Sequence, residues 1–203
     1  MLQVIAMITM LIDHLGVVLG ETSKYYYICR VIGRLSMPVY AFFICEGYKH
    51  THDKWKYTAR LAAIGVSAQI GYMYIVKSFC LNICFVWVLA SVWLYMYEHC
   101  KKWAIVLYSV CCGTLIFVLP FDYYGFVPFG LVLVFYFIEH IGYQCAFCLA
   151  LSTYSSLQLL SVFAIPIIHL CKDKGHLRIK NKTIKMIWRS FYPIHLYILG
   201  ALR

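Results

Sequence analysis

The sequence predicts an all-α fold, a polytopic transmembrane helical bundle, and three observations carry that prediction. Apolar types make up 63% of the 203 residues and charged types only 13%, where a soluble domain carries about 45–50% and about 25%. Apolar runs of membrane-crossing length follow one another with only short polar breaks. The 18 Lys and Arg outnumber the 8 Asp and Glu to give a net charge of +10, and eleven of those cations fall in two stretches, Lys49–Arg60 and Lys172–Arg189. Both stretches lie between apolar runs, as cytoplasmic loops of a membrane protein do. A sphere of this volume cannot hide so much apolar surface from water, so the solvent must be lipid. An ordinary soluble enzyme, a disordered chain and a secreted disulfide scaffold are excluded. A nucleic-acid binder is excluded as well, because there is no polar domain to carry its cations.

A bilayer core needs about 20 apolar residues per helix. The first candidate span, 2–20, closes at Gly20–Glu21, and the second, 28–48, closes at the polar stretch from His50 to Lys56. Spans 58–76, 80–98 and 103–119 follow, the last ended by Pro120–Gly125, and then 126–140, 143–170 and 190–202. The polar run Lys172–Lys185 separates the final two. The expectation is about eight spanning helices, or nine if 126–170 holds three short or broken helices in place of two. Short connections and the lack of internal repeats give one integral membrane domain over 1–203. The first run contains Asp13 and His14 and has no basic leader, so no cleavable signal peptide is read there.

Charge sets the expected orientation. With Lys49–Lys56 in the cytoplasm, the N-terminus is cytoplasmic and Lys101–Lys102 is cytoplasmic too, in an inner-membrane protein. Simple counting then puts Lys172–Lys185 outside, against the positive-inside rule. One span is therefore miscounted, and 126–170 is where the count fails. The ten cysteines fall mostly inside apolar runs, where a free thiol behaves as a small hydrophobe. Cys145 and Cys148 form a CxxC that lacks a second pair or nearby histidines, and no metal site is expected.

An ionisable side chain within a span is costly and marks function by default. Asp13 and His14 lie deep in the first run, Arg30 and Arg34 stand four apart on one face of the second, and Glu46 ends it. Arg60 opens the third run, Asp122 sits in a turn, and His195 lies in the last run. Ion pairing that stitches the bundle, with Asp13 neutralising Arg30 or Arg34, is one account. The lining of a shared cavity is the other, and it explains why the polar groups concentrate in the first three spans. His14 is the chemical actor, because an imidazole can take a proton from an attacking amine or hydroxyl near neutral pH. Asp13 points about 100° away from its neighbour in a helix, so a carboxylate from elsewhere or a Tyr hydroxyl is expected to orient the ring. No GxSxG and no HExxH is present.

These residues resemble the TraX family of integral membrane proteins. The matching segments are Ile5–Met10, Ile12-Asp13-His14, Arg30-Val31-Ile32-Gly33-Arg34-Leu35, Pro38, Ala41-Phe42, Glu46-Gly47-Tyr48, His50-Thr51, Tyr57 and Arg60-Leu61. Asn82, the turn Asp122-Tyr123-Tyr124-Gly125 and the ending Phe191-Tyr192-Pro193-Ile194-His195-Leu196 complete them. The chain is similar, more distantly, to the acyltransferase-three membrane family, although Gln3 stands where that family carries Lys or Arg. The resemblance implies a membrane acetyltransferase that uses acetyl-CoA, a cosubstrate, and acts on a pilin, peptide or glycan acceptor through an amine or hydroxyl. His14 would be the base, with Asp13, Arg30, Arg34 and Glu46 around it. Lys56, Arg60, His50 and Tyr57 would hold the cofactor, and Asp122, Tyr123, Tyr124 and His195 would line the acceptor side, with a kink at Pro193 as the other role for His195. A transporter or channel with a buried ion path, and a non-catalytic scaffold of a secretion or conjugation machine, remain the alternatives.

Overall fold

The computed structural model describes residues 2–121, 125–153, 155–173 and 182–203. Among these residues the structure is helical throughout: α1 (Leu2–Leu19), α2 (Tyr26–Gly33), α3 (Ser36–Lys49), α4 (Lys54–Val76), α5 (Ile83–His99), α6 (Lys102–Val118), α7 (Phe126–Phe137), α8 (Ile141–Ala150), α9 (Ala164–Asp173) and α10 (Lys182–Ala201). Two 3₁₀ segments, Leu151–Thr153 and Ser156–Phe163, lie between α8 and α9. Three stretches are long and apolar enough to cross a bilayer: Leu2–Leu19, Tyr26–Lys49 and Lys54–Val76. Shorter apolar helices surround them. On α6 the side chains of Val106, Val110, Phe117 and Val118 are 62–84% exposed, a cost in water that lipid removes. The chain is a membrane protein.

Local chemistry sets the helix ends. Gly20, at φ +79°, closes α1 by returning its N–H to the carbonyl of Gly16, the left-handed stop that glycine adopts without strain. Asp53 caps α4 by accepting from the Lys56 N–H at 2.9 Å. That bond holds the exposed Asp53 carboxyl below its ordinary value. The α4–α5 turn is tied by buried amides. Asn82 caps α5 at the Cys84 N–H and donates to the Gly65 carbonyl and Gln69 Oε1, while Gln69 donates to the Cys80 carbonyl. Each of these groups would be costly to leave unpaired in lipid.

α1 packs against α2, α3, α4, α9 and α10, while α3 and α5 share α7. α4 and α10 form an extensive pair. Gly71 permits it, because a Cβ there would meet the backbone of Leu196 and Tyr197 at 3.0–3.1 Å.

The second span is one bilayer-length stretch, Tyr26–Lys49, built as α2 and α3 with a turn at Arg34–Leu35 between them. The region 126–170 takes the broken form that the sequence left open, and 143–170 is not one helix. It is a hairpin whose ends meet, His169 Nε2 lying 2.9 Å from Gln144 Oε1 and Gln144 donating to the Ile138 carbonyl. The hairpin removes the charge paradox. Because α8 and α9 go up and come back, α10 starts on the face where α4 starts, and Lys185 stands beside His50 and Arg60 on one cavity. Lys185 and Arg189 of the second basic stretch therefore share a face of the bundle with the first, as the positive-inside rule requires.

Candidate functional site

At the end of α1 remote from this basic face, Asp13 is clamped by two guanidinium groups. Arg30 Nη1 donates to Asp13 Oδ2 at 2.7 Å and Arg34 Nη2 to Asp13 Oδ1 at 2.9 Å. The spacing of four brings both arginines to one face, and the break after Gly33 leaves Arg34 free to return its Nε–H to the Arg30 carbonyl at 3.1 Å. Gly33 is required for the approach, since a Cβ there would overlap the Asp13 carboxylate. One carboxylate thus takes a guanidinium on each of its oxygens.

His14, on the next residue, takes no part in that clamp. Its Nδ1 lies 2.8 Å from His195 Nε2, and His195 Nδ1 lies 2.7 Å from the Phe191 carbonyl. A carbonyl only accepts, so His195 carries its proton on Nδ1. Its Nε2 then accepts from His14 Nδ1–H, and the lone pair of His14 falls on Nε2. The orienting partner is a histidine from the last helix, which corrects the expectation of a carboxylate or a Tyr hydroxyl. His195 is itself fixed by stacking on Phe191, with centroids 4.8 Å apart and planes 14° apart.

His14 lines a cavity of about 70 Å³ together with Asp13, Arg30, Arg34, Ser36, Tyr40, Trp87 and Tyr192. A second cavity, of about 510 Å³, is lined by Tyr40, Trp87 and Tyr192 as well. These three side chains thus stand between the two cavities as an aromatic neck. Tyr40 is stacked there on Trp188 at 4.8 Å and 7°, and on Trp87 at 6.1 Å and 19°. The large cavity widens past Gln3, Phe43 and Ile64 toward Glu46, His50, Tyr57, Arg60, Lys185 and Arg189. Glu46 Oε2 stands 3.3 Å from His50 Nε2. No carboxylate among the described residues lies within ion-pair distance of Arg60, Lys185 or Arg189. The wide end therefore suits an anion, the waist an apolar segment, and the far end a proton transfer.

The structure gathers Glu46, His50, Tyr57 and Arg60 on the large cavity, and Asp13, His14, Arg30 and Arg34 on the small one. His195 stands behind His14. Lys56 is left outside, its side chain 83% exposed and 3.4 Å from Asp53, because it lies one turn too early on α4 to face inward. Asp122, Tyr123 and Tyr124 lie outside the described residues. Tyr57 serves packing as well, donating to the Ile44 carbonyl at 3.0 Å. Lys185 and Arg189 were legible only as part of a basic stretch. Their i, i+4 spacing ahead of Trp188 and Tyr192 is the signal that places them on one helix face. Among the described residues no cluster of three or more His, Cys, Asp or Glu could hold a metal ion.

No solved structure matches the chain. A segment of 76 residues is 38% identical to a protein of Dichelobacter nodosus named probable fimbrial assembly protein FimC, serogroup H1, covering 37% of this chain and 31% of that relative. The matched chain thus spans about a third of the relative's length. The family model described as TraX protein matches residues 1–203. The chain belongs to the TraX family.

Proposed function

We propose that this protein is a membrane acetyltransferase that moves an acetyl group from acetyl-CoA to an amine or hydroxyl acceptor, with His14 as general base. One observation carries the reading: a cation-rimmed cavity of about 510 Å³ shares an aromatic neck with a small polar pocket where the relay through His195 leaves a lone pair on His14 Nε2. The dimensions suit a long, anionic, thioester-bearing donor. Its phosphates would be held by Arg60, Lys185 and Arg189, and its pantetheine arm would lie in the waist. The basic face would then be cytoplasmic, where acetyl-CoA is made, and the N-terminus, on the same face, would be cytoplasmic too.

In the reaction, His14 Nε2 removes a proton from the acceptor nitrogen or oxygen as that atom bonds to the thioester carbon. The carbonyl oxygen gains negative charge as that bond forms, on the side of the site where Arg30 and Arg34 are held by Asp13. The C–S bond then breaks, and the departing sulfur takes the proton from His14. His195 holds the imidazole in the tautomer that makes this possible. A pilin-like protein N-terminus is the acceptor we favour, supported by the family and by the fimbrial assembly name of the relative. The test is transfer of labelled acetyl from acetyl-CoA to a pilin N-terminal peptide by purified protein. Wild type should label the peptide, and Lys56→Ala should do so equally well. Absence of transfer to any amine or hydroxyl acceptor would refute the proposal.

A further inference from the structure

Among the described residues, three buried side-chain polar atoms have no hydrogen-bond partner: Tyr40 Oη, Trp87 Nε1 and Gln158 Nε2. Two of the three stand at the neck. Tyr40 is 9% exposed and Trp87 4%, and both line the large cavity and the small one. An orphaned donor inside a protein is costly and rare, and inside a bilayer water offers little relief. An indole N–H can only donate, and a phenol O–H turned to a bare acceptor donates too. Both groups are also held rigidly. Tyr40 is stacked with Trp87 and with Trp188, nearly parallel to both, and Tyr40 and Trp87 belong to different helices, α3 and α5, that are packed together. Two unpartnered donors on residues that line both cavities suit a ligand that brings an acceptor oxygen to that point as it enters.

We propose that Tyr40 Oη–H and Trp87 Nε1–H are catalytic residues that donate to the carbonyl oxygen of the acyl donor and hold the oxyanion formed from it. This rests on the acetyltransferase reading above and goes beyond it by fixing where the thioester carbon stops. A donor entering from the cation-rimmed end reaches the neck before it reaches His14, so its carbonyl lies between the two donors while its carbon faces the base. As the acceptor's nitrogen or oxygen bonds to that carbon and gives its proton to His14 Nε2, the carbonyl π electrons move onto the oxygen. Tyr40 and Trp87 hold that charge. When the electrons return, the C–S bond breaks and the thiolate is protonated by His14. Donors placed before the charge develops need no reorganisation during the reaction.

The test uses the full-length protein in detergent with acetyl-CoA carrying a ¹³C-labelled carbonyl. Isotope-edited infrared spectra report hydrogen bonding to that carbonyl, and calorimetry reports affinity for CoA, which lacks it. In wild type the bound carbonyl band should lie below that of free acetyl-CoA. Tyr40→Phe keeps the stacked ring, removes one donor and should return part of the shift. Trp87→Phe should do the same. CoA affinity should hold in both variants, while kcat should fall about 10²-fold per donor with KM for acetyl-CoA nearly unchanged. A wild-type band that shifts and stays fully shifted in both variants would overturn the inference while leaving acetyl-CoA as the donor. A bound wild-type band at the free position would overturn it in the same way. Failure of wild type to bind either CoA or acetyl-CoA would remove the acetyltransferase reading and the inference together.

Discussion

Replacing Asp13 by Asn keeps the shape of the side chain and removes its charge. The carboxylate faces two guanidinium groups at 2.7 and 2.9 Å, in a setting where Asp13 is 14%, Arg30 15% and Arg34 only 4% exposed. Removing one partner of a buried ion pair leaves charge uncompensated, at a cost of about 3–5 kcal/mol. At about 2–4 °C per kcal/mol for a chain of this size, the melting temperature in detergent should drop by about 6–20 °C. The geometry also predicts an order. Arg34→Met should cost more than Arg30→Met, because Arg34 is the more buried and also bonds the Arg30 carbonyl. Each should cost less than Asp13→Asn, since the carboxylate keeps one guanidinium when the other is lost. Gly33→Ala should act in the same direction by pushing a methyl group into the Asp13 carboxylate. Fluorescence-detected melting of purified variants checks the series. An Asp13→Asn protein melting within 2 °C of wild type (about 1 kcal/mol or less) would refute the view that the clamp holds α1 against α2.

The remaining predictions concern the wide end of the site and its surroundings. Arg60→Ala, and more strongly Arg60→Ala combined with Arg189→Ala, should raise KM for acetyl-CoA with kcat little changed, as loss of uniform binding does. A change confined to acceptor kinetics would move the cofactor elsewhere. Cysteines introduced at His50 and at Lys185 should react with an impermeant maleimide from the same side of a vesicle, and one at Ser23 from the other. Opposite sidedness for His50 and Lys185 would contradict the hairpin of α8 and α9. The Asp53 cap gives a pH dependence with a definite sign. Its folded carboxyl lies below the ordinary aspartate value, about 3.9, so its contribution is complete above that value and fades as pH falls through the lower folded one. Amide exchange at the start of α4 should quicken below about pH 4 in wild type, and Asp53→Ala should remove that dependence.

How far the sequence anticipates the structure follows from the range of the interactions involved. Composition dictates lipid as the solvent, and the Arg30–Arg34 spacing places two cations on one face within a single helical turn of each other. Both readings are local and survive folding. The bond between His14 and His195 joins residues 181 positions apart, so no periodicity within either helix can show it. The break at Arg34–Leu35 falls four residues before Pro38, which has no N–H for the Arg34 carbonyl, a local signal that the apolar run on both sides masks. The hairpin in 141–173 leaves a trace only as a charge imbalance, which identifies the miscounted region without giving its shape. Lys56 and Arg60 look alike in a basic stretch, yet only Arg60 reaches the cavity. The two share a helix face, and what separates them is that Lys56 lies one turn nearer the start of α4, beside the Asp53 cap.

Chemical rescue tests the role of His14 most directly. Single-turnover acetyl transfer from labelled acetyl-CoA would be timed for wild type, His195→Gln and His14→Ala, the last with increasing free imidazole. If His14 Nε2 accepts the acceptor's proton, His14→Ala should slow transfer by about 10²–10⁴-fold and imidazole should restore part of it in proportion to its concentration. His195→Gln, which keeps an acceptor oxygen for His14 Nδ1–H, should fall between the two. Transfer by His14→Ala at the wild-type rate would contradict the account at its centre.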